Sequence, residues 1–154
     1  MRISERVRQL GLELPAPPSA LALYRPRLKS GNSLHISGQL SVDERGQVIT
    51  GKAGASASIE VAQNAARRSA LMVLAHLAAE VEDLENVEQC VELVGYVNAS
   101  SEFGEHPEVV NAASQLLVDV LGEKGRHTRV AVGVASLPRG ALTEISAKFT
   151  LREL

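Results

Sequence analysis

The spacing of hydrophobic positions changes several times along the chain, and each change marks a predicted element. Apolar residues recur at helical spacing over residues 59–81, after Ser58, and again over residues 108–122. Alternating or densely apolar stretches predict strands at residues 33–40, 87–97, 128–136 and 142–151. The order strands, helix, strand, helix, strands predicts an α+β fold, with a mixed sheet covered on one face by two main helices.

Shorter elements are predicted around this framework. Residues 3–10 form a short helix, which Ser4 can cap and Gly11 can end, and three prolines keep the following segment extended. Short strands are predicted at residues 20–24 and 27–29, and turns at Gly31-Asn32 and at residues 43–46, the second leading into residues 47–50. The length fits one domain, residues 1–154, in which residues 1–19 form the N-terminal helix and Pro-rich lead.

The strand predicted at 128–136 is apolar on both faces, because valines occur at positions 130, 132 and 134 with Ala131 between them. Helices can cover only one face of the predicted sheet. A large apolar face is rarely left in water, so we expect other subunits to cover the second face.

Composition and charge exclude several classes of protein. The net charge of −2 argues against general nucleic-acid binding, which needs a large basic surface. The single cysteine, Cys90, cannot form an internal disulfide, and in an apolar strand it is expected to be an inert core thiol. The apolar stretch 70–79 is interrupted by His76 and is too short to span a bilayer, and no signal peptide is visible, so a cytoplasmic protein is expected. The four histidines lack metal-ligand spacing, and no phosphate-binding glycine motif occurs.

The candidate chemistry is an arginine and a glutamate on consecutive predicted strands. Arg129 begins one strand and Glu144 lies in the next, beyond the turn at residues 137–140. Arginine binds a carboxylate with a planar fork of donors, and a nearby glutamate can hold or activate a water. The apolar neighbours of Arg129 favour a sheltered guanidinium, whereas its position alone favours a solvated arginine or a structural ion pair. Strand alternation alone places Glu144 on an outward polar face.

Several segments of the chain together resemble the Rid (YjgF) family of reactive-intermediate deaminases. The resemblance covers roughly residues 21–149, and the N-terminal helix and Pro-rich lead are similar to a longer subgroup. The matching pieces are Tyr24, Gly31-Asn32, Ser37-Gly38-Gln39, Val110-Asn111-Ala112, Arg129, Leu137-Pro138 and Glu144-Ile145.

The resemblance implies a chorismate-mutase-like fold and a homotrimer with clefts between subunits. It implies hydrolysis of 2-imino acids, formed from 2-aminoacrylate and related enamines, to 2-keto acids and ammonia without a cofactor. By position, Arg129 binds the substrate carboxylate and Glu144 holds the attacking water. Tyr24 lines the cleft, Asn111 lies near it, and Gly31 allows a tight turn close to it.

One position departs from the family pattern. Many members have a cysteine two residues after the arginine, where this chain has Ala131. The hydrolysis needs no thiol, so deamination stays the leading hypothesis. The alternative is a non-catalytic protein that binds a small carboxylate metabolite in the same cleft. Nuclease activity, a third hypothesis, is disfavoured by the acidic balance of the chain.

Overall fold

The computed structural model describes residues 1–19 and 23–153. Within these ranges the helices and strands follow the predicted order. The elements are α1 (Ile3–Gln9), β1 (Arg27–Ser30), β2 (Ser33–Leu40), α2 (Ile59–Glu80), β3 (Val87–Asn98), α3 (His106–Leu121), β4 (Thr128–Val134) and β5 (Thr143–Leu151). Short 3-10 turns occupy Leu84–Asn86, Gly122–Gly125 and Pro138–Gly140.

The five strands form one sheet in the order β1-β2-β5-β3-β4. The pair β3–β4 is parallel and is joined through α3, whereas β1–β2, β2–β5 and β3–β5 are antiparallel. A parallel neighbour needs a long crossover, and α3 provides it. The predicted mixed sheet is confirmed, and β1 and β4 are its two edges.

The hydrophobic core lies between one face of the sheet and the helices α2 and α3. On β5, alternation buries Thr143, Ile145, Ala147 and Phe149 toward the helices, as the sequence predicted. The buried face of α2 is rich in alanine, which lets the helix approach the sheet closely. The prediction of two main helices on one face is therefore confirmed.

The opposite face of the sheet, which we term the open face, is not covered by any described part of the chain. Val130 and Val132 of β4 are 48% and 40% exposed there. Large exposed apolar side chains on one sheet face are typical of an interaction surface. The prediction that β4 is apolar on its second face is confirmed for Val130 and Val132, and coverage of this face by other subunits stays a prediction.

The N-terminal helix α1 packs against α2 and α3. Ile3 and Val7 are fully buried, and the Ile3 N–H donates to the Glu82 carbonyl at 3.0 Å. The helix begins at Ile3, as predicted, but the predicted Ser4 cap is wrong, because Arg2 is the N-cap. The Arg2 N–H donates to the Glu5 carboxylate at 3.0 Å, which satisfies one terminal donor.

Three other local predictions differ from the structure. The strand predicted at 20–24 lies partly outside the described residues, and the described positions 23 and 24 form a bend. The turn at 43–46 is confirmed, but residues 47–50 form only isolated bridges, through Val48 and Thr50, rather than a strand. The helix α3 begins at His106 rather than at residue 108, since Pro107 fits the first turn of a helix.

None of the helices in the described ranges is both long and apolar enough to cross a bilayer.

Candidate functional site

Arg129 lies on the edge strand β4, and α3 holds its side chain in place. Its Nη1 donates to Oδ1 of Asn111 at 2.8 Å and to Oγ of Ser114 at 3.2 Å. Both acceptors are neutral, and no carboxylate in the described part of the chain pairs with this guanidinium. The Nε and Nη2 donors stay available, which is the edge of a guanidinium that grips a carboxylate with two hydrogen bonds.

A series of hydrogen bonds that includes His127 fixes the orientation of the contact between Arg129 and Ser114. His127 Nδ1 lies 2.6 Å from the Gly125 carbonyl, so Nδ1 carries the proton and donates. The other nitrogen, Nε2, then accepts from Ser114 Oγ at 2.9 Å, which leaves Oγ free to accept from Arg129. Burial lowers the pKa of His127, the bond to Gly125 opposes that shift, and the Arg129 charge adds to it. The neutral imidazole is the form that this chain of hydrogen bonds requires.

Sequence reasoning missed the two supporting residues Ser114 and His127. A signal for each was present. Ser114 is three residues after Asn111 on α3, and residues at that spacing share a helix face. His127 is two residues before Arg129, and side chains at that spacing lie on the same side of an extended chain.

Glu144 lies on the open face in the centre of the sheet. Its register partners are Leu40 of β2 and Tyr96 of β3. The side chain rests over the backbone of Gly38, where any Cβ would overlap the Glu144 carboxylate. The sequence motif Ser37-Gly38-Gln39 therefore has a glycine because a side chain of β5 occupies the space above it. Gly38 lies where the β2–β5 register shifts.

Burial raises the pKa of the Glu144 carboxyl above its ordinary value. No hydrogen bond or ion pair within residues 1–19 and 23–153 engages this carboxyl group. A half-buried carboxylate without a partner is costly unless another group completes its surroundings. The Glu144 carboxyl group is therefore suited to bind a ligand, a water molecule or a group from a second chain.

Arg129 and Glu144 lie on opposite faces of the sheet. Arg129 is in register with Leu93, which is buried toward the helices, whereas Glu144 is in register with Tyr96, three residues further along β3. Val130 and Val132 alternate with Arg129 and point to the open face. The shelter that the sequence predicted for the guanidinium comes from α3 rather than from the side of the strand that carries these valines. One chain by itself does not bring the two predicted catalytic groups together.

The other predicted site residues lie at two opposite edges of the sheet. Asn111 contacts Arg129 directly. Gly31 forms the β1–β2 turn at φ +60°, as predicted, and Tyr24 is 58% exposed just before β1. These two residues lie at the β1 edge, and four strand spacings of roughly 4.8 Å, about 19 Å in all, separate that edge from β4. The β4 edge of one chain holds Arg129 and Asn111, and the rest of the predicted site lies elsewhere on the surface.

The thiol and metal chemistry of the chain was also predicted from the sequence. The Cys90 thiol is fully buried, and burial raises its pKa to about 12, so the expectation of an inert core thiol is confirmed. No group of three or more histidine, cysteine, aspartate and glutamate side chains suited to a metal ion occurs in the described part of the chain.

Comparison with known proteins identifies relatives across almost the whole chain. A family model described as "YjgF/chorismate mutase-like, putative endoribonuclease" matches residues 4–149. Protein TCP17 of Trypanosoma cruzi is 42% identical over 147 residues, which are 95% of this chain and 92% of that protein.

Two solved structures share the fold closely. The protein Atu1372 of Agrobacterium tumefaciens, whose function is unknown, has a TM-score of 0.89 at 40% identity, covering 97% of this chain and 93% of its own. An endoribonuclease-like protein of Shewanella oneidensis has a TM-score of 0.92 at 29% identity, covering 98% of this chain and 100% of its own. The resemblance seen in the sequence is confirmed at the level of family and fold.

Proposed function

Because the chain belongs to the YjgF/chorismate mutase-like family, we propose that it hydrolyses 2-imino acids to 2-keto acids and ammonia, in a site built from two copies of the chain. The observation that carries this proposal is the state of Arg129. Its guanidinium is oriented by neutral partners only, and its carboxylate-gripping edge is uncommitted. An ordered arginine with an unneutralised charge is well suited to bind the carboxylate of a small acid.

Glu144 supplies the second half of the proposed site. Its carboxyl group has no partner within the described residues, and burial raises its pKa. A raised pKa makes a carboxylate a better proton acceptor, so Glu144 can hold a water and take one of its protons during attack. The space that Gly38 leaves open gives this side chain its position.

The two halves meet only if one chain presents its β4 edge to the open face of another. Such a contact joins two different surfaces of the same protein, and repeated contacts of this kind close into a ring when the rotation allows it. We propose a homotrimer, in which three equivalent clefts form. Each cleft takes Arg129 and Asn111 from one copy, and takes Glu144 with the Tyr24 and Gly31 edge from its neighbour. The exposed Val130 and Val132 support burial of the open face in this assembly.

The proposed reaction needs positioning rather than a strong nucleophile. The C=N carbon of a 2-imino acid is electrophilic, and Arg129 fixes it by holding the adjacent carboxylate. Water adds to that carbon while Glu144 accepts one of its protons and passes it to the nitrogen, and the hydroxyl group that remains on the carbon then gives its own proton to the nitrogen. The C–N bond then breaks, ammonia leaves and the C=O bond of the keto acid forms. This sequence involves no oxidation and no cofactor.

Mixed assemblies of two inactive variants test the proposal. An amino-acid oxidase generates the imine in situ, and ammonia release is measured. Arg129→Ala and Glu144→Gln alone are each expected to lose at least about a hundredfold in activity, because positioning or proton transfer is lost. Co-assembly of the two at equal amounts restores about one intact site in four if each site draws its two groups from different copies.

Arg126→Ala is the matched control. Arg126 lies three residues before Arg129, is exposed, and forms an ion pair with Glu123 at 3.1 Å. Its activity stays at the wild-type value. Mixed assemblies as inactive as their parents would contradict the two-copy site. A wild-type protein that pyruvate stabilises in a thermal melt but that hydrolyses no imine would instead be the carboxylate-binding protein of the alternative hypothesis.

A further inference from the structure

The segment that joins α3 to β4, residues 122–127, has its backbone tied to the sheet by a glutamine. Gln89 of β3 donates through its side-chain Nε2 to the Lys124 carbonyl at 3.1 Å and to the Arg126 carbonyl. These two carbonyls belong to the residues on either side of Gly125. The backbone around Gly125 is therefore fixed relative to β3.

Gly125 also lies directly on the C-terminal part of α3. A Cβ at this position would overlap the Leu117 carbonyl, so the segment approaches the helix as closely as only a glycine allows. The Gly125 carbonyl in turn accepts from Nδ1 of His127 at 2.6 Å. The imidazole is thus held by a backbone group that β3 and α3 both fix in place, and this arrangement needs no ligand.

The imidazole decides which way the Ser114 hydroxyl group points. A hydroxyl group has one hydrogen, and Nε2 of His127 accepts it at 2.9 Å, so the oxygen presents a lone pair to Nη1 of Arg129 at 3.2 Å. Without an acceptor at the position of Nε2, the hydroxyl group has no fixed orientation, and some of its orientations turn the hydrogen toward the guanidinium. The bond from Arg129 to Asn111 would then hold the guanidinium alone.

The second bond to Nη1 matters for the affinity of the site. Asn111 and Ser114 together fix the plane of the Arg129 guanidinium, so its Nε and Nη2 edge has one direction before a ligand arrives. A side chain that is already ordered loses less conformational entropy on binding than a mobile one. Any group that keeps Ser114 in its accepting orientation therefore strengthens carboxylate binding at Arg129.

We propose that His127 is a positioning residue of the carboxylate site: it acts through Ser114, holds the Arg129 guanidinium in its binding orientation, and raises the affinity for a carboxylate ligand without contacting it. This inference rests on the proposed function, because it takes Arg129 as the group that binds the carboxylate. It gives the segment between α3 and β4 a part in ligand binding.

The imidazole also lies close enough to the guanidinium to respond to its charge. Nε2 and Nη1 both contact Ser114 Oγ, so the two nitrogens are no more than about 6 Å apart. Burial lowers the pKa of His127, the bond to Gly125 opposes that shift, and the Arg129 charge adds to it. A carboxylate bound to Arg129 offsets that charge, so the pKa of His127 is expected to rise when the site is occupied.

Arg129 is the cation that dominates the surroundings of this imidazole. The other cations of the same segment are engaged elsewhere, since Lys124 donates through Nζ to the Leu84 carbonyl and Arg126 pairs with Glu123. Ser114 and Gln89, on the two elements that pack against the segment, are neutral. A change in the pKa of His127 therefore reports on the occupancy of the Arg129 site.

Two amides that each replace one half of the imidazole test the inference. His127→Gln carries an amide oxygen to about the position of Nε2 and can accept from Ser114, whereas the shorter His127→Asn keeps only a donor for the Gly125 carbonyl. Calorimetry with pyruvate measures the Kd. We expect Kd to rise at least about tenfold in His127→Asn and to stay within about threefold of the wild-type value in His127→Gln.

Ser114→Ala shows whether the effect passes through the hydroxyl group. In that background His127→Asn is expected to cause no further loss of pyruvate affinity, because the two residues act as one unit. His106→Asn is the matched control, since that histidine is at the other end of α3 and its ring contacts Phe103. Its Kd for pyruvate stays at the wild-type value.

An NMR titration of the His127 imidazole in the wild-type protein adds a measurement that no folding defect can affect. The pKa is expected to be higher in saturating pyruvate than without it, and an unchanged pKa would overturn the inference. A wild-type Kd in His127→Asn, or equal losses in the two amide variants, would also overturn it. Pyruvate binding that still depends on Arg129 would then leave the carboxylate site standing, whereas a wild-type protein that binds no pyruvate would overturn both.

Discussion

The covered face and the open face of the sheet hold their polar side chains in different ways. On the covered face, Arg129 is tied to Asn111 and Ser114 of α3, and His127 supports that contact. On the open face, Glu144 lies in register with Leu40 and Tyr96, and nothing in the described ranges binds its carboxyl group. The covered half of the proposed site is ordered within one chain, whereas the open half depends on what is placed against it.

The largest expected effect comes from a charge on the open face. Val132→Glu places a carboxylate in the surface that the proposed trimer buries, so assembly and imine hydrolysis are both lost. Val61→Glu is the matched control, because Val61 is 46% exposed on α2, on the helix side, compared with 40% for Val132. Analytical ultracentrifugation checks the prediction. A Val132→Glu protein that still forms active trimers would show that the open face is not the interface.

The covered side is expected to be the acid-sensitive side. His76 of α2 is fully buried, its Nε2 has no hydrogen-bond partner within the described chain, and burial and the Arg27 charge lower its pKa to about 4. Between pH 6.5 and 4 the unfolded chain binds a proton at this position that the folded chain does not. The free energy of unfolding therefore falls by about 3 kcal/mol as the pH drops through that window.

Urea unfolding at a series of pH values, with wild type and His76→Gln compared, isolates this contribution. The variant is expected to lose the part of the pH dependence that His76 causes, while the slopes from other groups stay. His35→Gln, at an exposed position of β2, is the control that keeps the wild-type profile. Identical profiles for wild type and His76→Gln would mean that His76 does not resist protonation in the fold.

A smaller effect is expected at Gly38 on the open face. Gly38→Ala places a methyl group where the Glu144 carboxylate lies, so the carboxylate must move away from its position. We expect about a tenfold fall in kcat and little change in thermal stability, because only the end of a flexible side chain shifts. Steady-state kinetics on an imine generated in situ checks this result. An unchanged kcat would argue against a positioned Glu144.

The sequence was sufficient for the architecture and for one half of the site geometry. Helical and alternating patterns gave the order of the elements, and alternation along β5 correctly placed Glu144 opposite the buried Ile145. The face of Arg129 could not be predicted, because it depends on the parallel register between β3 and β4 and on where α3 lies. Both are set by packing between segments distant in the chain. Valines next to Arg129 suggested shelter, but strand alternation turns them away from it.

Local chemistry explains the smaller errors. Pro107 marks the first turn of α3, and that signal places the helix start two residues before the predicted position. Ser4 is a good capping residue by type, but a glutamate three residues after Arg2 favours a cap at Arg2 instead. The role of Gly38 was hidden because the residue that requires it, Glu144, is on another strand.

The central position of β5 also governs how the protein folds during synthesis. Ser33 of β2 pairs with Thr150 of β5, more than a hundred residues later in the chain. Until residues 143–151 have left the ribosome, the β1–β2 hairpin and the β3–β4 pair have no strand to join them, and two-stranded sheets are only marginally stable. Long-range pairing of this kind is slow. A nascent chain that stalls before β5 thus exposes two unprotected strand edges, which makes such an intermediate a natural target for chaperones and proteases.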